Sequence, residues 1–245
     1  MHFGINGLLL QALWDWIRAQ QNLLRSPVFH VLFSLTVYLS CCLPYLCLDL
    51  ISSKVALVRQ FKIQPHSQVT WTMVWGCLST VIHTHVFFIF PVIVLHWYWR
   101  PVLLPVPAPE LCSVVRDVLA CLLLFDTQYF VWHLLHHRVP WLYQLFHKEH
   151  HRYTATFSLT TEHSGAWETL SLSFFAVASP ALLGCHPLTE MLFYIVNIFL
   201  LVPFGLYGGA LHHDLHHLRF KVNYEPYFTH WDRLFGTLYR VEVDT

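Results

Sequence analysis

Trp132 to Arg152, WHLLHHRVPWLYQLFHKEHHR, holds six of the nineteen histidines in this 245-residue chain. They fall into two clusters, His133-x-x-His136-His137 and His147-x-x-His150-His151. A third, His212-His213-Asp214-Leu215-His216-His217, follows about sixty residues later. In a helix, positions i, i+3 and i+4 share a face, so each cluster aims two or three imidazoles at one place. Neutral imidazole ligates iron, zinc, copper and nickel. With His136 and His212 included, the clusters offer enough ligands for two metals with open positions. Thiolates are absent from the clusters and carboxylates are few (Glu149, Asp214), which leaves iron or zinc as the leading metals. Histidines packed singly in a core would explain one such cluster, not three.

The elements that position these clusters are apolar. The chain is 56% hydrophobic and 11% charged, against about 25% charged residues in soluble domains. Its formal net charge of zero gives no electrostatic case for nucleic acid. Seven scattered cysteines form no C-x-x-C pair and read as small hydrophobes. No Asn-x-Ser/Thr acceptor occurs. We expect an all-α, polytopic membrane domain over 1–245, with three spans, a helical hairpin and a histidine-lined metal site.

Residues 1–27 read as an interfacial amphipathic segment. Its apolar stripe is broken by Asp15, Arg18 and Gln20, and Trp14 and Trp16 are its expected anchors. It lacks the basic start and small-residue cleavage site of a signal peptide. Three spans fill 28–132. The first, 28–51, carries no charge but Asp49. The second lies in 63–99, a run of 37 residues without Asp, Glu, Lys or Arg. That run is too long for one tidy span and too short for two with a turn, so we expect one long helix bent near Pro91. The proline-rich connector RPVLLPVPAPE leads to the third span, 114–132. There Asp126, Gln128 and Tyr129 suggest a wall facing the site. Residues 133–166 carry the first two clusters.

Apolar pieces 167–183 and 187–201, joined by GCHP, make a hairpin. It returns the chain to the side it left, bringing the third cluster (within 202–245) beside the others and putting His186 on the far side. Lys54, Arg59, Lys62, Arg138, Lys148, Arg152, Arg219, Lys221, Arg233 and Arg240 lie on the cluster side. Arg18, Arg25, Arg100 and Arg116 oppose them, which favours a cytosolic site. His83, His85 and His96, on the second span, are expected to bond neighbouring helices.

The clusters resemble the boxes H-x-x-x-H, H-x-x-H-H and H-x-x-H-H of the fatty acid hydroxylase superfamily of membrane di-iron enzymes. The matching residues are His133 and His137; His147, His150 and His151; and His213, His216 and His217. The words LLLFDTQYFVWHLLHHRVPWLYQLFHKEHH, LLGCHPLT, LVPFGLYGGALHHDLHH and YFTHWDRLFGTL are similar to the branch that hydroxylates cholesterol at carbon 25. The resemblance implies an endoplasmic reticulum enzyme with two iron ions that uses O2 on a sterol. Electrons would come from reduced pyridine nucleotide through a reductase and a cytochrome b5-type carrier. It also implies a water-excluding sterol pocket, for which Phe125, Tyr129, Phe130 and Trp132 are the expected wall.

This chain departs from the resemblance at one place. Relatives carry an Asp-His-Ser-Gly-Tyr word before the third box, whose histidine is an expected ligand. Here Val196-Asn197-Ile198-Phe199-Leu200 runs directly into Leu201-Val202-Pro203-Phe204-Gly205, with the bend at Pro203, Gly205, Gly208 and Gly209 kept. His163 and His230 are the alternative ligands, His230 being the better candidate for a supporting contact. Two further readings follow: another lipid hydroxylase or desaturase of the superfamily, and a sterol-binding relative without catalysis.

Overall fold

The computed structural model describes residues 5–99, 102–201 and 209–240. Among them all regular structure is helical. Helix α1 is Ile5–Arg18 and α2 is Pro27–Ser52. Helix α3 runs as Trp71–Thr84, a π-helical segment His85–Ile89, and Phe90–Trp99. Then come α4 (Leu111–Arg138), α5 (Ala166–Leu183), α6 (Pro187–Leu201), α7 (Gly209–Arg219) and α8 (His230–Leu234). Four of these, α2 to α5, are long and apolar enough to cross a membrane, and α6 is shorter.

Local chemistry sets the boundaries. Ser26 caps α2 by accepting from the Val28 amide at 3.3 Å, with Pro27 at the first helical position. Thr70 caps α3 by accepting from the Met73 amide. The irregularity expected at Pro91 lies just before it. Proline has no N–H to donate and its ring crowds the carbonyl four residues back. The preceding turn widens, and the Phe90 amide bonds the His85 carbonyl five residues behind it. Residues 63–99 therefore hold one long helix, starting at Trp71. The hairpin turns at Gly184, whose φ of 65° suits the left-handed cap that ends α5.

At the end away from the histidines, His186 meets the Trp14 ring at 4.7 Å and bonds the Pro107 carbonyl. It stands on the far side, as the hairpin parity requires. Trp14 differs from expectation. It is fully buried and donates to the Pro105 carbonyl at 2.8 Å, whereas Trp16 is exposed. Trp14 fixes α1 to the protein instead of to lipid.

The segment after the second cluster dips back among the helices. Tyr38 donates to the Leu159 carbonyl and Cys42 to that of Ser158, deep along α2. These bonds hold the 3₁₀ turn Ser158–Glu162 inside the helix bundle. Of the polar residues on α4, Asp126 does not face the site. It is buried, and accepts from the Tyr227 and Phe228 amides. Gln128 meets Ser179, and Tyr129 alone of the three borders the central cavity.

Candidate metal centre

The first cluster lies on the last turns of α4, and the third on α7. The second is not a regular helix. His147 closes a π-helical segment, Tyr143–His147, and His150 begins a 3₁₀ turn, His150–Arg152. Neighbours in sequence point to different places, on this irregular stretch and on α7 alike. His133, His137, His147, His151 and His216 form one group, and His150, His213 and His217 a second. Within each group the candidate ligand atoms lie within 4.8 Å of one another. All eight histidines of the three boxes are brought together.

The first group is dense. His151 Nε2 is 3.0 Å from His137 Nε2, 3.1 Å from His147 Nε2 and 3.2 Å from His216 Nε2. In the second, His150 Nε2 is 3.3 Å from His213 Nε2 and 3.1 Å from His217 Nε2. The opposite ring nitrogens are held by acceptors. His133 Nδ1 donates to the Tyr224 carbonyl, His216 Nδ1 to Val222, His217 Nδ1 to Tyr153 and His147 Nδ1 to the Glu168 carboxylate. With hydrogen on Nδ1, each of these rings turns a bare Nε2 lone pair inward. His133 Nε2 is buried with no hydrogen-bond partner. Converging lone pairs cannot satisfy one another, and a cation can satisfy them all.

Burial, reinforced by neighbouring imidazoles, pushes the pKa of His147, His150, His151, His216 and His217 down. Burial and then His212 lower His213 to about 4. The rings are neutral at physiological pH, as ligands must be.

Glu168, on α5, has no counterpart among the expected site residues. It is completely buried, 2.9 Å from His147 of the first group and 3.6 Å from His150 of the second. One carboxylate thus bonds a ring of the first group and lies beside a ring of the second. Its only signal in sequence is an acid inside an apolar run. Glu168→Gln is expected to weaken metal retention about 10- to 100-fold while leaving the fold intact. Competition with a chelator measures this, and unchanged retention would refute the role.

His136 and His212 lie outside both groups. His136 stacks on Trp132 at 3.7 Å, accepts from Trp167 and donates to the Trp132 carbonyl. His212 donates to Asp232 at 3.0 Å. His163 and His230 are not in either group: His163 lies 3.2 Å from Glu149, and His230 lies 2.9 Å from Glu225. Asp214 is also turned away, accepting from Gln64 and Thr156. Of the bend before the third box, Gly209 is in the left-handed region (φ 58°). Pro203, Gly205 and Gly208 lie outside the described residues.

A cavity of about 1640 Å³ runs among the helices and reaches His150 and His213. Phe125 and Tyr129 line it. The other two expected wall aromatics do not: Phe130 stacks on Trp231, and Trp132 backs His136. The three-histidine group is the one that faces the cavity.

Comparison with known proteins bears on what this centre is. The family model described as fatty acid hydroxylase matches residues 118–237, which contain all three clusters. A cholesterol 25-hydroxylase-like protein of Danio rerio is 60% identical, over 94% of this chain and 98% of its own length. The cholesterol 25-hydroxylases of Homo sapiens and Rattus norvegicus are 48% and 49% identical. They align over 96% and 95% of this chain, and 93% and 84% of their own lengths. No solved structure matches. The chain belongs to the fatty acid hydroxylase family.

Proposed function

We propose that this protein is a sterol side-chain monooxygenase that hydroxylates cholesterol at carbon 25, with two iron ions held by the eight grouped histidines. The observation that carries this reading is the large cavity between apolar helices that ends on His150 and His213. A lipid taken from the bilayer can lay its tail there, against the less crowded group. The names of the relatives supply the substrate class.

Bound iron would supply the activation of O2 that an unactivated C–H bond requires. The chain's own residues do the rest. Phe125 and Tyr129 present apolar surface to the tail and exclude water. Tyr224, Val222, Tyr153 and Glu168 hold the ring tautomers. Electrons would arrive from reduced pyridine nucleotide through a reductase and a cytochrome b5-type carrier. The cluster side carries most of the Lys and Arg residues, which supports a cytosolic face in the endoplasmic reticulum membrane.

The test is purified protein in lipid, supplied with cholesterol, O2 and a reducing carrier, with products identified by mass spectrometry. Formation of 25-hydroxycholesterol with close to two irons per chain is the expected result. A different hydroxylated lipid would place the chain elsewhere in the family. A second reading, sterol binding without turnover, draws on the three-histidine group, which has two fewer rings than its neighbour. It predicts cholesterol binding with one retained metal and no product.

A further inference from the structure

The cavity meets several polar side chains away from the histidines, and most already have partners. Lys62 pairs with Asp49 at 3.1 Å, His186 bonds the Pro107 carbonyl, and Asn197 accepts from the Tyr227 hydroxyl. Glu162 differs. It closes the 3₁₀ turn held inside the bundle, and its Oε2 is enclosed without a hydrogen-bond partner. Burial pushes its carboxyl up to about 8, so it carries a proton at neutral pH.

Across from it stands His85, buried, at the start of the π-helical segment. Its Nδ1 donates to the Val81 carbonyl at 2.9 Å, so its neutral ring offers Nε2 as an acceptor. That Nε2 lies 3.9 Å from Glu162 Oε2, too far for a direct hydrogen bond. Both residues line the cavity. A carboxylic acid that can donate thus faces an imidazole that can accept, with no direct bond between them. π-Helical turns recur at functional sites, and this one places His85.

We infer that Glu162 and His85 form the hydroxyl-recognition site of the cavity, binding the alcohol of a sterol whose tail reaches His150 and His213. The hydroxyl donates to His85 Nε2 and accepts from the Glu162 carboxyl. This rests on the sterol reading above and adds how the molecule is oriented. Apolar walls select a lipid, and a few placed polar groups select which way round it lies.

The test is equilibrium binding of radiolabelled cholesterol, and of cholest-5-ene lacking the hydroxyl, to the purified full chain in nanodiscs. Wild type is expected to prefer cholesterol by about tenfold to a hundredfold. Glu162→Leu and His85→Leu should each remove most of that preference by weakening cholesterol alone, with cholest-5-ene binding as the internal check on folding. Glu162→Gln, which keeps a donor, should retain part of it. A preference that survives in both leucine variants, or is missing from wild type, overturns the assignment. Wild-type protein that binds neither compound removes the sterol reading itself.

Discussion

Changing His151 to alanine is expected to abolish hydroxylation and to lower the metal content to one ion per chain or fewer. No other imidazole is so centrally placed. Its Nε2 lies within 3.2 Å of three others in the five-histidine group, and its ring is 4.5 Å from His217 of the second. Loss of a residue that merely orients a ligand costs about 10- to 100-fold, so loss of so central a ring should exceed 100-fold. Elemental analysis alongside product formation makes the measurement. A variant with two irons and ordinary turnover would show that the five-histidine group is not a metal site. The substitution also removes a ring stacked on Phe220 at 4.7 Å, so the unfolding temperature should be recorded in parallel.

The largest loss of stability is expected for Asp232→Ala. Asp232 is wholly buried on α8, where its carboxylate accepts from the Tyr224 and Glu225 amides, from Thr237 and from His212. Burial raises its pKa, but His212, Thr237 and the two amides together outweigh that and hold it below the ordinary carboxylate value. Removing it strands four donors in a dry interior, a loss of about 3–5 kcal/mol. For a chain of this size that lowers the unfolding temperature by on the order of 10 °C. A shift within the usual range of surface substitutions would contradict this. The pH dependence has a definite sign. A depressed carboxylate contributes fully above its unfolded pKa of about 3.9, and its contribution is lost as pH falls through the folded value. The variant's deficit should therefore be complete at neutral pH and shrink in strong acid. Metal retention should fall with it, because Tyr224 is the residue whose carbonyl holds His133.

What was legible in sequence was whatever repeats or runs. Uninterrupted apolar stretches announce the long helices, and histidines at three- and four-residue spacing announce the centre. Neither signal shows which histidine joins which group. His150 and His151 part, as His216 and His217 do on α7, because adjacent side chains leave a helix in different directions, and nothing in YQLFH marks the widened turn that precedes the second pair. Glu168 was missed for another reason. It meets partners far away in the chain, and a lone acid in an apolar stretch has no spacing to betray it. Trp14 misled because the same amphipathic indole suits a membrane interface and a protein interior.

The bond between His133 and the Tyr224 carbonyl joins residues 91 positions apart. It has a consequence for how the protein is made. During synthesis α4 is laid down early, with its imidazoles bare, and the second cluster follows at once. The rings from α7 come much later, and the carbonyl that orients His133 later still. Asp232 and Thr237, which brace that carbonyl's loop, follow it in turn. A nascent fragment that stops short of Asp232 has every box but not this brace. Stable loading is therefore expected only once residues 232–237 are in place, and a chain truncated just before them would enter the membrane with its centre unbraced.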